Sequence, residues 1–433
     1  NLDLLRELLR ADTTNPPGNE TAAVEILEAE LSGAGLETTV EKSPQGRPNL
    51  IARLPGPTDV PALILLSHTD VVGVEPERWT HDPFAGEVDD GAVWGRGALD
   101  MKGIAAMHAA AATSLAGSSA ATTREVIVCA VADEEAGGNE GAGWLVEAHP
   151  DLVGLSEGRP PPDVLGEGSF GITGILDEPI MPIVLGEKTA MWVELAAQGD
   201  PGHGSLPPTD QAVLNLASAL AKVSGFGRPR VHSVMREQFR LLAERAGGPR
   251  RPIFKALASA SGSAVAAALK VPLRSSGAIA ALLSDTSTPT MISGGYKHNV
   301  VPGEAKASLD CRLLPDTDPT AFVESMRKRV KGVSVRAASV HRGPVSERGS
   351  LFEILGRASE SLGSNPIVVP SLSPGFTDVR YFRQRGATGY GWAPIVLTPE
   401  LLQTIHGHNE RIPVDEFENG TRAMVDVVRR AAT

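Results

Sequence analysis

Hydrophobic and polar residues follow two different patterns along the first part of the chain. Apolar residues recur at helical spacing over Leu2–Arg10 and Glu20–Ser32, and both segments end at turn-forming residues. Short, continuous apolar runs, each bounded by turn residues, follow at Ala62–Leu66, Val126–Val131 and Val164–Leu165. Such runs, separated by helices, are typical of buried parallel strands. This part is therefore predicted to form an α/β sheet with helices on both faces.

Near residue 188 the pattern changes to that of a second domain. It predicts a strand, a helix, two strands, a helix and a strand, which is the order of a ferredoxin-like unit. The predicted elements are Met191–Ala197, Thr209–Val223, Pro289–Ser293, Ala305–Arg312, Pro319–Lys331 and Val333–Val340. A helical insertion at about 232–285 interrupts this unit, and its Ala/Ser-rich stretch at 257–268 is predicted to be helical.

After about residue 341 the first pattern resumes and continues to the last residue of the sequence. We therefore predict three segments. Residues 1–187 and 341–433 form the two parts of a main α/β domain, and residues 188–340 form a smaller inserted domain.

Composition and charge exclude several classes of function. Hydrophobic residues make up 42% and charged residues 21% of the 433 residues, which is typical of a globular protein with a sizeable core. No apolar run reaches the roughly 18 residues of a membrane span, so no membrane partner is expected. The net charge of −12 disfavours nucleic acid as a partner, because an acidic surface repels phosphates. Cys129 and Cys311 form no CxxC pattern, which favours a reducing, cytoplasmic location and leaves His, Asp and Glu as candidate metal ligands.

Polar residues with metal-ligand chemistry follow the predicted buried strands. His68 comes directly after one strand, with Asp70 two residues later. One ring nitrogen of such a histidine can bind a metal while the other donates to a carboxylate, although a histidine that only hydrogen-bonds at the strand end fits the same pattern. Asp100 lies among glycines just before an apolar helix. It could be a helix N-cap or a bridging metal ligand, for which the glycines permit tight backbone geometry.

Asp133, Glu134 and Glu135 follow the strand Val126–Val131 and are the most informative cluster. Three adjacent carboxylates repel one another and are costly to desolvate, and a nearby cation removes that cost. Two adjacent glutamates can also divide the work, one as a metal ligand and the other as a general base. The alternative is a solvated acidic loop, which the preceding buried strand and the following double glycine disfavour.

Glu167 and His406 complete a possible metal site. Glu167 lies between two glycines after another strand, and His406 begins the late segment His-Gly-His-Asn-Glu. Each is a weak signal alone, but the five sites together supply two histidines and three carboxylates. This set suits two divalent ions that share one aspartate, about 3.5–4 Å apart. Ligands in open α/β sheets bind at the carboxyl ends of the strands, so these residues are expected to meet there.

These motifs, in this order, resemble the metallopeptidase family of aminoacylase, carboxypeptidase S, glutamate carboxypeptidase, acetylornithine deacetylase and succinyl-diaminopimelate desuccinylase. The resemblance covers essentially the whole chain, and the segments that carry it are HTDVV at 68–72, GRGALDMKG at 95–103, DEEAGG at 133–138, GHGS at 202–205 and HGHNE at 406–410. It implies a zinc-peptidase-type catalytic domain with a mixed sheet, plus an inserted ferredoxin-like lid and dimerisation domain. It further implies a homodimer that cleaves an amide bond next to a free carboxylate, in a small peptide or an N-acyl amino acid.

The resemblance implies a role for each candidate residue in the main domain. The implied ligands of two ions, expected to be Zn²⁺ with Co²⁺ or Mn²⁺ as alternatives, are His68 and Glu167 for one, Glu135 and His406 for the other, and Asp100 as the bridge. Glu134 would be the general base, and Asp70 the partner that orients His68. The Asp100–Met101 peptide bond is expected to be cis.

The resemblance also implies roles for three residues of the inserted domain. His203 would stabilise the oxyanion in a neighbouring subunit, Asn299 would bind the substrate carbonyl, and Arg312 would hold the substrate's carboxylate. Two simpler readings stay open, since His203 could cap the helix predicted to begin near Thr209 and Arg312 could be a surface arginine on a strand.

The sequence departs from the family pattern in two places. The glycine-rich segment of many relatives is here Ser373–Asp378, in which Pro374 and Phe376 change the wall expected to face the substrate. The insertion at 232–285 is longer than in compact relatives and resembles the carboxypeptidase S-like branch.

The sequence disfavours two other classes of function. One is a catalytically silent relative that acts as a metal-dependent binding or assembly module, which the intact Glu134 disfavours. The other is a nucleotide-using α/β enzyme, which is disfavoured because the sequence has neither a P-loop nor a convincing GxGxxG segment.

Overall fold

A computed structural model describes residues 1–259 and 277–433, and the chain forms two compact units. The first unit comprises Asn1–Gly186, Val345–Ser371 and Thr377–Thr433, and the second comprises Glu187–Pro344 and Leu372–Phe376. The helix predicted at 257–268 falls largely on residues 260–276, outside the described residues.

The strands and helices of the described residues have the following bounds. The strands are β1 (Glu37–Lys42), β2 (Pro48–Leu54), β3 (Leu63–His68), β4 (Glu87–Asp89), β5 (Ala92–Trp94), β6 (Val126–Val131), β7 (Asp163–Gly166), β8 (Gly171–Ile172), β9 (Ile180–Glu187), β10 (Thr189–Gln198), β11 (Gly202–His203), β12 (Gly225–Phe226), β13 (Thr286–Gly294), β14 (Val300–Val301), β15 (Glu304–Leu313), β16 (Val333–His341), β17 (Ile367–Ser373), β18 (Thr388–Gly391), β19 (Val396–Leu397) and β20 (Arg411–Pro413). The helices are α1 (Leu2–Arg10), α2 (Thr21–Gly33), α3 (Lys102–Ala116), α4 (Ala142–Ala148), α5 (Ala212–Val223), α6 (Ser233–Arg245), α7 (Arg250–Ala258), α8 (Gly277–Leu282), α9 (Pro319–Arg329), α10 (Ser350–Glu360), α11 (Val379–Gln384), α12 (Pro399–Leu402) and α13 (Val414–Ala432). No helix within 1–259 or 277–433 is both long and apolar enough to cross a membrane.

A mixed sheet forms the centre of the first unit, as predicted. Its strands lie in the order β1-β2-β6-β3-β7-β18-β9-β8-β19, with β17 beside β9. Strand β3 pairs in parallel with both β6 and β7, and β7 pairs in parallel with β18. The three strands predicted from apolar runs are therefore neighbours, with β3 in the middle. The antiparallel strand β1 was not predicted, because its sequence ETTVEK contains a single apolar residue.

Helices pack on this sheet because its central strands are apolar on both faces. Ile64 and Leu66 of β3 belong to a buried cluster with residues of α4 and α11. Successive side chains of a strand point to opposite faces, so Leu63 and Leu65 face the other side, where α3 contacts β3. Helix α3 is buried on nearly all sides, and its alanines allow close packing. Its first turn is thereby fixed next to the end of β3.

The second unit has the predicted ferredoxin-like topology. Its sheet has the strand order β12-β13-β15-β10-β16, and all of these pairs are antiparallel. Helices α5 and α9 pack against one face through a buried apolar cluster. Helix α5 begins at Ala212 and not near Thr209, because the carbonyl of Asp210 accepts a hydrogen bond from Asp200 and Gln211 is extended. The two residues before the helix are thus held outside it.

Candidate metal centre

Candidate ligands lie at the carboxyl ends of three parallel strands of the first unit, at one edge of the sheet. His68 is the last residue of β3 and pairs with Val131, the last residue of β6. Asp133 to Glu135 follow β6, and Glu167 directly follows β7. Because β3 lies between β6 and β7, the carboxyl ends of the three strands are adjacent, which is the usual position for a ligand site in such a sheet.

Asp100 lies between two histidines that are far apart in sequence. Its Oδ1 is 3.2 Å from Nε2 of His68, and its Oδ2 is 3.1 Å from Nε2 of His406. The Asp100–Met101 peptide bond is cis. Asp100 is not the N-cap of α3, since Met101 occupies that position. Each oxygen of Asp100 therefore faces one histidine, which is the arrangement that a bridging carboxylate requires.

Two glutamates lie on opposite sides of Asp100. Both carboxylate oxygens of Glu135 are 3.2 Å from Nε2 of His406, and Oε2 of Glu167 is 3.8 Å from Nε2 of His68. Ligand atoms of His68, Asp100 and Glu135 all lie within 4.8 Å of one another, as do those of His68, Glu134 and Glu167. The structure thus brings together all five residues predicted as ligands.

The electrostatics of this cluster favour bound cations. Burial raises the pKa of Glu134 well above its usual value, and repulsion by Glu167 adds to this. Burial and repulsion by Asp100 raise the pKa of Glu167 to about 8. The carboxylates of Asp100 and Glu135 raise the pKa of His406 to about 10. Divalent ions would neutralise this excess negative charge, and imidazole with carboxylate is a suitable donor set for zinc, so the residues fit a metal centre.

Glu134 and Asp133 are buried, being 8% and 6% exposed. This burial excludes the alternative of a solvated acidic loop. Asp133 adopts a left-handed conformation (φ 73°) and starts a single 3₁₀ turn over Glu134–Ala136. The tight turn presents the two adjacent glutamates to the same cluster, so that one can bind a metal while the other is left for proton transfer.

Asp70 holds both the histidine and the glutamate turn. Its Oδ1 accepts a hydrogen bond from the backbone N–H of Glu134, and its Oδ2 accepts one from that of Glu135, both at 3.1 Å. Asn15 donates to Oδ2 at 2.8 Å. Nδ1 of His68 lies 2.9 Å from the carbonyl oxygen of Asp70 and 3.4 Å from its Oδ1. Asp70 therefore lies against Nδ1 of His68 with its backbone carbonyl as well as its side chain, on the side of the ring away from Asp100.

A buried ion pair between Arg96 and Glu410, which was not predicted from the sequence, holds the backbone next to Asp100. Oε1 of Glu410 accepts hydrogen bonds from the backbone N–H groups of Leu99 (2.8 Å) and Asp100 (3.1 Å). Its Oε2 pairs with Arg96, which also donates to the carbonyl of Gly407 at 2.8 Å. The pair fixes the Asp100 turn relative to the loop that carries His406. Both residues lie inside motifs quoted above, but nothing in the sequence links partners 314 positions apart.

The three residues predicted in the inserted domain all belong to the second unit. Strands β11 and β14 pair His203 with Val300, which places Nε2 of His203 3.5 Å from Nδ2 of Asn299. Nδ1 of His203 accepts a hydrogen bond from the hydroxyl of Ser205 at 2.7 Å. The alternative that His203 caps a helix is wrong, because the N-cap of α5 is Gln211. Arg312 lies on β15 and pairs with Asp310.

Comparison with known proteins identifies the family. The profile of peptidase family M20/M25/M40 matches residues 64–430, which is most of the chain. The chain belongs to this family. Mouse aminoacylase-1 is 27% identical to this M20 family member over 427 residues, which cover 96% of this chain and 91% of the mouse protein.

Solved structures share the fold of this M20 family member. A metallo-carboxypeptidase of the family from Sulfolobus solfataricus aligns with a TM-score of 0.76 at 20% identity, covering 99% of this chain and 98% of that one. A dinuclear metal-binding peptidase of the family from Bacillus subtilis aligns with a TM-score of 0.62 at 15% identity, covering 99% and 96%. Family membership and the candidate ligand groups make the chain a metal-dependent hydrolase of amide or peptide bonds. The comparisons give no support to the catalytically silent module.

Proposed function

We propose that this M20 family member is a dinuclear, zinc-dependent hydrolase that cleaves an amide bond next to a free carboxylate, in a small peptide or an N-acyl amino acid. The observation that carries the proposal is Asp100, whose two oxygens each face one histidine. Zn²⁺ suits a site of imidazole nitrogen and carboxylate oxygen, although Co²⁺ or Mn²⁺ could use the same ligands.

The proposed ligands divide into two groups around this aspartate. His68 and Glu167 would hold one ion, Glu135 and His406 the other, and Asp100 both. Two ions bound there would supply the Lewis acidity that lowers the pKa of a water molecule and polarises the amide carbonyl.

Glu134 is the proposed general base of the reaction. It would take a proton from the attacking water and then deliver that proton to the nitrogen of the leaving group as the carbon–nitrogen bond breaks. Its position supports this role, because it is buried in the cluster beside Glu135 and the turn that carries it is fixed by Asp70.

The second unit is proposed to supply the groups that recognise the substrate. Arg312 would bind the free carboxylate of the substrate, for which a planar guanidinium offers two parallel N–H donors. His203 and Asn299 lie together and are polar and accessible, which supports a role in binding the carbonyl oxygen as it gains negative charge. Following the resemblance, we assign His203 to the active site of a second copy.

A homodimer through the second unit is part of this proposal. Strand β12 pairs only with Thr286 and Ser287 of β13, so the rest of β13 forms an edge within the described residues. Met291 and Ile292 on this edge are 72% and 68% exposed, and Leu214 of the neighbouring helix α5 is 61% exposed. Exposed edge strands and apolar side chains are common at protein interfaces, so a second copy of this edge is a suitable partner.

The proposed dimer predicts a change in mass when the edge is charged. Wild-type protein is expected to have twice its 45.3 kDa chain mass in solution. Ile292→Lys is expected to shift the protein towards the monomer, because the interface would bury the charge of an unpaired lysine. Ile175→Lys is the matched control, since Ile175 is 41% exposed but belongs to the first unit. Sedimentation velocity of the three proteins measures this, and a monomeric wild type would contradict the dimer.

A cytoplasmic location is also proposed. The two cysteines, Cys129 and Cys311, are both free and buried. Free thiols without a disulfide framework support a reducing compartment. Fractionation of cells that express the native gene would test this, and recovery of the protein only outside the cytoplasm would contradict it.

Hydrolysis of a matched substrate panel tests the proposed function. The zinc-loaded protein is expected to cleave dipeptides or N-acetyl amino acids that have a free carboxylate at least about 100-fold faster, in kcat/KM, than the same compounds blocked as amides, because a site built for a charged group rejects analogues that lack it. Equal cleavage of free and blocked compounds would contradict the role of Arg312. A protein that binds two metals but cleaves neither class would favour the silent module.

A further inference from the structure

One face of the sheet in the second unit carries a distinct set of side chains around Arg312. Along β10 and β15, alternate residues such as Val193 and Leu309 are buried against α5 and α9. The residues between them point to the other face. There Trp192 is the cross-strand partner of Asp310. Ala190 lies between Arg312 on β15 and His341 on β16.

Asp310 holds the guanidinium of Arg312 in a defined orientation. Nε of Arg312 donates to Oδ1 of Asp310 at 2.7 Å, and Nη2 donates to Oδ2 at 3.0 Å. This two-point contact occupies the side of the guanidinium that carries Nε. The end formed by Nη1 and Nη2 keeps a parallel pair of N–H donors with the geometry that a carboxylate needs. Arg312 is 24% exposed in its side chain, so a small ligand can reach it.

Three aromatic rings lie in a row beside this arginine. The guanidinium carbon of Arg312 is 5.1 Å from the ring centroid of Phe376. Phe376 stacks on His341 (6.5 Å, 24°), and His341 meets Trp192 edge to face (5.1 Å, 77°). Each of the three rings is only partly buried. We call this row, Phe376, His341 and Trp192, the aromatic row.

The aromatic row is restricted to the Arg312 end of the face. Glu194, two residues after Trp192 on β10, forms an exposed ion pair with Arg336 of β16. A ligand bound to Arg312 would therefore meet rings, whereas the far end of the face offers exposed charges. The combination of one oriented cation and a neighbouring apolar surface matches a carboxylate whose carbon carries an apolar group.

We propose that the aromatic row, and above all Phe376, determines substrate specificity by contacting the side chain of the residue whose carboxylate binds Arg312. The aromatic row favours residues with aromatic and large aliphatic side chains over glycine, which has no side chain. Asp310 adds a second selection, because its charge repels a substrate with another carboxylate on its side chain. This inference rests on the proposed function, in which Arg312 binds the free carboxylate, and it specifies which amino acids that site selects.

Four substrates that differ only in the side chain test the proposal. For wild type, kcat/KM is expected to be at least about tenfold higher for N-acetylphenylalanine and N-acetylleucine than for N-acetylglycine, and lowest for N-acetylaspartate. Phe376→Ala is expected to reduce the phenylalanine-to-glycine ratio about tenfold, and Phe376→Leu, which keeps more of the volume, is expected to reduce it less. Asp310→Asn is expected to improve N-acetylaspartate relative to N-acetylglycine. Phe226→Ala is the matched control, because Phe226 is an exposed phenylalanine of the same unit outside the row.

Binding to a variant that cannot turn over separates this proposal from the proposed function. Calorimetry on zinc-loaded Glu134→Gln, with and without Phe376→Ala, gives the Kd of N-acetylphenylalanine and N-acetylglycine even if wild type cleaves neither. Loss of a tenfold preference on removing Phe376 supports the aromatic row. An equal effect of Phe376→Ala on both compounds, or no preference in the parent variant, overturns it. If wild type cleaves neither compound but Glu134→Gln still binds N-acetylphenylalanine more tightly than N-acetylglycine, the result contradicts the proposed hydrolysis and not the aromatic row.

Discussion

Replacing Glu134 with glutamine is expected to lower kcat by about 10²- to 10⁴-fold, the contribution of a positioned general base. Glutamine has nearly the same shape as glutamate but cannot accept the proton of the attacking water. The two metal equivalents should remain bound, because the five proposed ligands are unchanged. Steady-state kinetics, together with metal analysis by plasma mass spectrometry, measures both quantities on the same sample.

The metal count decides what a loss of activity in this variant means. Ligand atoms of Glu134 lie within 4.8 Å of those of His68 and Glu167, so Glu134 is also near enough to be a ligand. If Glu134→Gln loses one metal equivalent, Glu134 binds metal and its role as the base is wrong. Glu147→Gln, on an exposed position of α4, is the control for the loss of one glutamate charge in the same unit.

Replacing Asp100 with asparagine is expected to have the second large effect. Wild type should bind two metal equivalents and Asp100→Asn at most one tightly, with kcat/KM lowered at least about 10³-fold. An amide carries no charge and offers a single oxygen, so it cannot bridge two cations as a carboxylate does. Titration with Zn²⁺ in a calorimeter gives the number of sites and their affinities, and hydrolysis of the preferred substrate gives the activity.

The outcome for Asp100→Asn separates a shared ligand from a structural aspartate. Two tight sites with normal affinity in the variant would show that Asp100 does not bridge. Asp59→Asn is the control, because Asp59 is an exposed aspartate of the same unit. Thermal unfolding of the variant measures any loss of folding. The variant is expected to fold, because an asparagine at this position can still accept a hydrogen bond from one histidine.

Local sequence patterns predicted those parts of the site that depend on neighbours in the chain. Continuous apolar runs identified β3, β6 and β7, because a strand buried on both faces has no polar positions. The carboxyl ends of these parallel strands meet at one edge, so a polar residue after each run is already placed near the others. His68, Glu135 and Glu167 were found in this way, and their roles as metal ligands stay predictions.

The parts that were missed depend on contacts between distant segments. Glu410 and Arg96 pair across 314 residues, and neither residue has a local pattern that would indicate its partner. Strand β1 was missed because it is half-exposed and polar, and its partner β2 supplies the apolar side chains. The predicted start of α5 was too early in the chain. The hydrogen bond from Asp200 to the carbonyl of Asp210 keeps Asp210 outside the helix, and helix-start signals in the sequence do not include such a contact.

The distance in sequence between the two halves of the metal centre has a consequence for its biosynthesis. His406 lies 271 residues after Glu135, its partner across the cluster. At a translation rate of about 5–20 residues per second, the ribosome adds His406 roughly 14 to 54 s after Glu135. During that interval the acidic residues of the nascent chain lack one of their two histidines. The complete set of ligands exists only after His406 has been added, so that the full set is expected to bind metal only after that point in translation.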